Sequence, residues 1–248
     1  MWRHCHKHGV GPSQRLFRIL AMSASPYATV DTVIFDLDGT LIDSEPDLRA
    51  ALNQMLASLG RRPVTRAEVV MMVGDGVPKL VERALRVTDA ERDLAPEAAV
   101  AQFLGFYEAA PADLSTPFPG AFEIVRVLKT DGIKLGICTN KPEAPARDIL
   151  AVFGFLEFFD VVIGGDTLAD ARKPDSRPLA AAIDAVYSQP ERAVMVGDSA
   201  NDIDPAKALG MRSVAVSFGY SRGAVAALGA DTVIDDFSEL REVLVGLA

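Results

Sequence analysis

Histidine and cysteine are scarce in this sequence of 248 residues. The histidines, His4, His6 and His8, are confined to the amino-terminal end. The rest of the chain therefore has none for a Ser-His-Asp triad, a histidine base or a histidine-ligated zinc ion. The two cysteines, Cys5 and Cys138, are too few for a disulfide framework, so a reducing cytoplasmic location is the expectation.

Long apolar runs and an excess of basic residues are missing as well. No run approaches the ~18 apolar residues that a membrane-spanning helix requires, so we expect no membrane partner. The net charge of −9 makes nucleic acid an unfavourable partner, because proteins that bind it concentrate Lys and Arg. The 49% of hydrophobic and 24% of charged residues are typical of a globular protein. The length allows an α/β domain with a smaller inserted one.

Residues 1–28 differ in composition from the rest of the chain. They hold basic but no acidic residues, together with the single Trp and every His. We interpret them as a disordered N-terminal extension rather than a histidine metal site, because no ordered partner ligands are expected nearby. The apolar stretch within this segment is interrupted by Arg18 and is short for a signal peptide, so Met22 is a candidate for the true start.

The stretch 33–41 carries the strongest local signal. Its apolar run ends in Asp36 and Asp38 followed by Gly-Thr. This pattern predicts a buried parallel strand that delivers two carboxylates to its carboxyl end, where open α/β sheets bind ligands. Two acids this close repel each other, which calls for a cation, a protonated carboxyl or both. A plain turn is the alternative, because Asp-Gly is an ordinary turn dipeptide.

The remaining patterns fall into two regions. Up to about residue 116 they are helical: Ser44 and the capping box Thr65-x-x-Glu68 predict helix starts, and prolines begin two further helices. Beyond this region strands and helices alternate. We therefore predict an α/β fold, a Rossmann-like doubly wound parallel sheet core with a helical cap domain inserted after the first strand. The predicted boundaries are 1–28 for the extension, 29–43 and 117–248 for the core, and 44–116 for the cap.

Polar residues follow several later strands at the point where each strand ends. Thr139 and Asn140 follow one strand, and Asp198 and Asp202 follow another. Lys173 lies in the sequence between them. Because the carboxyl ends of parallel strands open onto one edge, we expect these residues to meet the acidic pair of the first strand.

The chain resembles the haloacid dehalogenase superfamily of phosphotransferases over about residues 30–240. The resemblance is carried by an ordered set of motifs and by the helical insertion after the first strand. The motifs are Asp36-x-Asp38-Gly-Thr, Thr139, Lys173-Pro174 and Gly197-Asp198-x-x-x-Asp202. The resemblance implies Mg²⁺-dependent hydrolysis of a small phosphate ester through an aspartyl-phosphate.

The resemblance also implies roles for single residues. Asp36 would attack phosphorus, and Asp38 would protonate the leaving oxygen and later activate water. Thr139 and Lys173 would bind the phosphoryl oxygens. Beside these implied roles, Asn140, Lys141 and Ser199 are candidates for a further substrate contact. For the Mg²⁺ site, the implied ligands are Asp36, the backbone carbonyl of Asp38 and Asp198, with Asp202 binding or orienting that shell.

The carboxyl group of Asp38 favours phosphate ester hydrolysis, because members of the superfamily that dehalogenate or cleave carbon–phosphorus bonds lack an acidic residue at this position. The stretches 73–85, 139–142 and 196–203 resemble the phosphoglycolate phosphatases of this superfamily, although Lys173-Pro-Asp departs from their usual Lys-Pro-His-Pro. The favoured reaction converts 2-phosphoglycolate to glycolate and phosphate. Alternatives are a phosphatase of another metabolite, such as a sugar phosphate or pyrophosphate, a sugar phosphomutase, or a non-catalytic scaffold.

The carboxylate of 2-phosphoglycolate requires a cation or a cluster of backbone N–H groups in the cap. Lys79 is the only Lys in the predicted cap, and it follows the loop at Gly74 at a predicted helix start. We predict that this loop, with Lys79 or Arg83, binds and recognises the leaving group when the cap closes. An exposed helix face is the alternative for Lys79. The expected partner is a small-molecule phosphate ester, and the chain is expected to act as a monomer or homodimer.

Overall fold

The computed structural model describes Tyr27 and residues 29–88, 96–109 and 112–247. Its centre is a six-stranded parallel sheet. The strands of this sheet are β1 Thr32–Phe35, β4 Lys134–Cys138, β5 Val161–Ile163, β6 Ala193–Gly197, β7 Arg212–Val216 and β8 Thr232–Ile234. They lie in the order β5-β4-β1-β6-β7-β8. A short antiparallel pair consists of β2 Ile42–Asp43 and β3 Thr116–Pro117.

Helices cover both faces of the sheet, because neighbouring side chains of a strand point to opposite faces. Phe35 packs on the face covered by α5, α6 and α9, whereas Ile34 packs on the face covered by α7 and α8. The helices are α1 Glu45–Ser58, α2 Arg66–Val70, α3 Val77–Thr88, α4 Pro96–Ala109, α5 Ala121–Thr130, α6 Glu143–Val152, α7 Arg177–Ala185, α8 Ala200–Ala208 and α9 Leu240–Gly246. The predicted doubly wound parallel sheet is confirmed.

The helices α1 to α4 lie between β2 and β3 in the chain and have an apolar cluster of their own. Leu52, Met55, Val81 and Phe103 are fully buried in it. The chain enters and leaves these helices through the β2–β3 ribbon. This ribbon places the helices beyond the carboxyl end of β1.

Two predicted helix starts have different outcomes. The Thr65–Glu68 capping box is confirmed: Glu68 N donates to Thr65 Oγ1 at 3.3 Å, and Thr65 N donates to Glu68 Oε2 at 2.8 Å. The predicted cap at Ser44 is wrong, because its side chain makes no cap hydrogen bond. Instead, the first helical N–H, that of Glu45, donates to the Tyr220 hydroxyl at 2.9 Å. A distant side chain thus replaces the local cap.

Tyr27 is the described part of the predicted N-terminal extension. Its ring is buried and its hydroxyl donates to Asp131 Oδ2 at 2.8 Å. The other residues of that prediction, including Met22, lie outside the described residues. Across the described ranges, no helix combines the length and the apolarity needed to cross a bilayer.

Asp47 on α1 holds the segment that returns from the helices to the sheet. Its buried carboxylate accepts hydrogen bonds from Leu114 N at 3.0 Å, Ser115 N at 2.7 Å and Ser115 Oγ at 2.5 Å. Because Asp47→Ala leaves these donors unpaired, we expect the free energy of unfolding to fall by about 2–4 kcal/mol in urea denaturation. A loss no larger than that of Asp184→Ala, at an exposed position of α7, would contradict this.

Candidate active site

The carboxyl ends of the central strands bring the predicted site residues to one edge of the sheet. Asp36 follows β1, Thr139 follows β4 and Asp198 follows β6. Asp202 reaches the same edge from the first turn of α8, and Lys173 from the loop before α7. All five side chains are buried, so their charges act on one another with little screening by water.

Asp36, Asp198 and Asp202 form a compact carboxylate cluster. One oxygen of each lies within 4.8 Å of the others. Lys173 Nζ lies 2.9 Å from Asp36 Oδ1 and 2.5 Å from Asp202 Oδ1. Because three buried carboxylates face one ammonium group, the cluster carries an excess of negative charge that favours a bound cation.

The burial of this cluster shifts its proton affinities. Burial raises the pKa of Asp36 to about 7, with Lys173 opposing the rise and Asp202 adding to it. Burial also raises the pKa of Asp198 well above its ordinary value, reinforced by Asp202 and Asp36. Burial lowers the pKa of Lys173, but the attraction of Asp202 and Asp36 outweighs it and leaves that pKa above its ordinary value. The lysine therefore stays charged beside carboxylates that repel one another.

The backbone around Asp198 and Asp202 fixes the direction of both carboxylates. Tyr220 N donates to Asp198 Oδ2 at 2.5 Å, and Ser199 N donates to Asp202 Oδ2 at 3.1 Å. Gly39, at φ 90°, is required here because a Cβ at this position would lie 2.6 Å from Asp198 Oδ2. Such surrounding contacts orient ligand groups before an ion binds.

The donor set of this cluster fits a hard divalent cation. Carboxylate oxygens are the ligands that Mg²⁺ prefers, and the ion typically keeps several waters beside one or two carboxylates. Asp36, Asp198 and Asp202 supply such oxygens. The carboxylate of Asp38 lies outside the cluster and pairs with Lys141 at 3.2 Å. The side chain of Asp38 is therefore not among the metal-binding oxygens, and its backbone carbonyl is the only predicted ligand that Asp38 can contribute.

Lys141 and Tyr107 hold Asp38 at the other side of the site. Lys141 Nζ lies 3.2 and 3.3 Å from the two Asp38 oxygens and donates to Tyr107 Oη at 2.7 Å. Burial lowers the pKa of Lys141, but Asp38 and Tyr107 outweigh it, so this pKa stands above its ordinary value. The sequence signalled Lys141 only by its place beside Thr139 and Asn140. It gave no signal for Tyr107, which lies 34 residues from Lys141 in the chain.

Thr139 and Asn140 lie at the end of β4 with different roles. Thr139 Oγ1 accepts a hydrogen bond from Lys141 N at 3.2 Å, which leaves its own proton for an oxygen in the cavity. Asn140 Nδ2 donates to Gly74 O at 2.8 Å and to Lys173 O at 2.9 Å. Asn140 therefore joins a loop of the helical region to the loop that carries Lys173.

The loop at Gly74 meets the sheet edge from the helical side. Gly74 O also accepts from Asn201 Nδ2 at 3.0 Å. Asp75 accepts from Asn201 at 2.7 Å and from Arg222 at 2.7 Å, and it pairs with Arg83. Burial raises the pKa of Asp75, but these hydrogen bonds outweigh it and lower the pKa to about 2. The ionised Asp75 thus fastens the loop to the core.

Lys79 does not reach the site. Its side chain is 57% exposed, and its Nζ pairs with Glu82 Oε2 at 2.7 Å. The reason is helical geometry, since the next residue, Leu80, faces the cavity and directs Lys79 towards solvent. Arg83 is occupied by Asp75. The structure therefore separates Lys79 from the other predicted site residues.

A cavity lies between the sheet edge and the helices. Its free volume is about 50 Å³, room for roughly four water molecules at ~10–15 Å³ of such volume each, so it fits a small ligand. The wall from the helical side is largely apolar. Its polar lining consists of Asp36, Asp38, Thr139, Asn140, Lys141 and Tyr107, and its apolar wall of Leu48, Val73, Val77, Leu80 and Leu104.

Comparison with known proteins assigns the chain to a family. Residues 30–210 match the haloacid dehalogenase-like hydrolases. The phosphoglycolate phosphatase of Rhodospirillum rubrum is 46% identical over 86% of this chain and 90% of that protein, and that of Caulobacter vibrioides is 44% identical over 87% and 91%. A crystal structure described as a predicted phosphoglycolate phosphatase from Haemophilus somnus 129PT matches with a TM-score of 0.83 and 29% identity, over 87% of this chain and 98% of that one. The chain belongs to the haloacid dehalogenase-like hydrolases.

Proposed function

We propose that this phosphatase hydrolyses 2-phosphoglycolate to glycolate and phosphate with Mg²⁺, through an aspartyl-phosphate on Asp36. The observation that carries the proposal is the buried cluster of Asp36, Asp198 and Asp202 around Lys173 at the sheet edge. The relatives at 46% and 44% identity that are named phosphoglycolate phosphatase support the choice of substrate. The small cavity above the cluster suits a short leaving group.

The chemistry follows from the positions of Asp36 and Asp38. A carboxylate oxygen of Asp36 attacks phosphorus and forms an acyl phosphate while the bond to the glycolate oxygen breaks. The protonated form of Asp38 gives its proton to that leaving oxygen and becomes the carboxylate. Asp38 then takes a proton from the water that attacks phosphorus, and phosphate leaves as the Asp36 carboxylate is restored.

The negative charge on the phosphoryl oxygens is stabilised by hydrogen-bond donors whose positions are fixed. Thr139 Oγ1 and Lys173 Nζ lie at the sheet edge next to Asp36, where they bind equatorial oxygens. Asp36, Asp198 and Asp202, with the backbone carbonyl of Asp38, would hold Mg²⁺. When bound, the ion neutralises phosphoryl oxygens and the surplus charge of the carboxylates.

We also propose that residues 44–116 act as a cap domain over a core of residues 29–43 and 117–248. The separate apolar cluster of the helices and the β2–β3 ribbon support this division. The contacts of the Gly74 loop with the core hold the cap shut. A closed cap keeps bulk water from the acyl phosphate and strengthens the electrostatic contacts inside.

Phosphate release from a substrate panel tests the function. The panel holds 2-phosphoglycolate, several sugar phosphates and pyrophosphate, each with Mg²⁺. We expect kcat/KM to be highest for 2-phosphoglycolate, by about tenfold or more. A higher kcat/KM for a sugar phosphate or pyrophosphate would contradict 2-phosphoglycolate as the substrate. Phosphoryl transfer between positions of a sugar, without free phosphate, would identify a phosphomutase instead.

A further inference from the structure

Among the described residues that line the cavity, Lys141 is the one with a positively charged side chain. Its side chain is only 5% exposed. One proton of its ammonium group points to Tyr107 Oη at 2.7 Å, and another is shared by the two Asp38 oxygens at 3.2 and 3.3 Å. An ammonium group has three protons to donate, so one remains for a ligand in the cavity.

Tyr107 offers a second donor at the same place. Because its hydroxyl oxygen accepts the hydrogen bond from Lys141, its own proton is free to be donated. Within the described ranges no acceptor takes that proton. The ring is 3% exposed and stacks on Phe103 at 5.8 Å between centroids, which fixes the direction of the hydroxyl. Two donors, one of them charged, therefore converge on the cavity.

The other described side chains of the helical wall carry no charge. Leu48, Val77, Leu80 and Leu104 line it with apolar side chains. An anion placed there would lose its hydration without compensation, except beside Lys141. Among the described side chains of this wall, Lys141 and Tyr107 are therefore the ones that can fix a charged leaving group.

We propose that Lys141 and Tyr107 form a carboxylate subsite that selects phosphate esters whose leaving group carries a carboxylate. This inference rests on the proposed function and names the residues that set its specificity. A carboxylate accepts one hydrogen bond from each donor, and charge-assisted bonds of this kind are the strong ones. Lys141 would serve Asp38 and the ligand together, as Lys173 serves Asp36 and Asp202.

The subsite is complete only when cap and core are in contact. Tyr107 belongs to α4 of the proposed cap, whereas Lys141 follows β4 of the core. A carboxylate bound to both bridges the two parts and favours the closed arrangement. Substrates that lack the carboxylate lose both the contact and this aid to closure.

Tyr107→Phe tests the subsite, because it removes one hydroxyl and leaves Lys141 beside Asp38. The two substrates compared are 2-phosphoglycolate and ethyl phosphate, in which a methyl group replaces the carboxylate. We expect the ratio of their kcat/KM values to fall by about 10- to 100-fold, the range for a hydrogen bond to a charged group. Tyr187→Phe, at a tyrosine that is 92% exposed, is the matched control and should leave the ratio unchanged.

Binding of phosphonates separates recognition from chemistry. Calorimetry would compare 3-phosphonopropionate with propylphosphonate, which lacks the carboxylate, for wild type, Tyr107→Phe and Lys141→Met with Mg²⁺. We expect wild type to prefer the carboxylate compound and both variants to lose most of that preference. If wild type prefers neither the carboxylate ester nor the carboxylate phosphonate, the proposed function fails. If wild type shows the preference and Tyr107→Phe keeps it in kinetics and in binding, only the subsite is overturned.

Discussion

Asp36→Asn should abolish phosphate ester hydrolysis, with kcat lower by ~10⁴-fold or more, the scale on which removal of a covalent nucleophile acts. The amide has nearly the shape of the carboxylate but does not attack phosphorus to form an acyl phosphate. Steady-state phosphate release from 2-phosphoglycolate measures the loss. Asp184→Asn, an exposed replacement of the same kind on α7, should retain wild-type turnover.

The fold should survive Asp36→Asn. Lys173 keeps Asp202 as a partner at 2.5 Å, so no buried charge is left without a counterion. Thermal unfolding checks this directly. A folded Asp36→Asn variant with turnover within tenfold of wild type would remove Asp36 from the chemistry and contradict the account.

Asp198→Asn should lower kcat by ~10³-fold, because a catalytic metal ion supplies several kcal/mol of transition-state stabilisation. Chelation of the wild-type enzyme should abolish turnover, and added Mg²⁺ should restore it. The structural reason is the surplus charge. Asp36, Asp198 and Asp202 lie together, Lys173 pairs with only Asp36 and Asp202, and neutralising one carboxylate weakens the attraction for a cation.

Stability gives a second readout for Asp198→Asn that does not depend on turnover. In the metal-free protein the replacement relieves repulsion within the cluster, so the free energy of unfolding should rise. Added Mg²⁺ should stabilise the wild type by binding the folded state and should stabilise Asp198→Asn much less. Full activity after chelation, or equal stabilisation of both proteins by Mg²⁺, would contradict the assigned site.

Elements set by local patterns were predictable from the sequence. The predicted alternation of strands and helices beyond about residue 116 is present, for example in the helix Ala121–Thr130 and the strand Ala193–Gly197. Their limits depend on nearby residues, such as the alternation of apolar side chains and the turn that follows the helix. The ordering of strands with polar carboxyl ends also predicted that Asp198 and Lys173 would lie next to Asp36, and the structure places them there.

Features set by distant contacts were not predictable. Tyr220 lies 175 residues from Glu45, and its hydroxyl accepts from the first N–H of the helix for which the sequence predicted a Ser44 cap. The choice between Lys79 and Lys141 as the cation of the cavity depended on which face of α3 packs inward and on how α4 lies over β4. Neither follows from local pattern, because packing of one element on another is decided by the whole fold.

Rapid acid quench during turnover of 2-phosphoglycolate with Mg²⁺, followed by mass mapping of peptides, detects the aspartyl-phosphate itself. We expect a phosphoryl group on the peptide that contains Asp36, and its absence when Asp36→Asn is treated in the same way. Phosphate release from 2-phosphoglycolate with the phosphoryl group on another residue, or with no phosphorylated protein at any quench time, would contradict it.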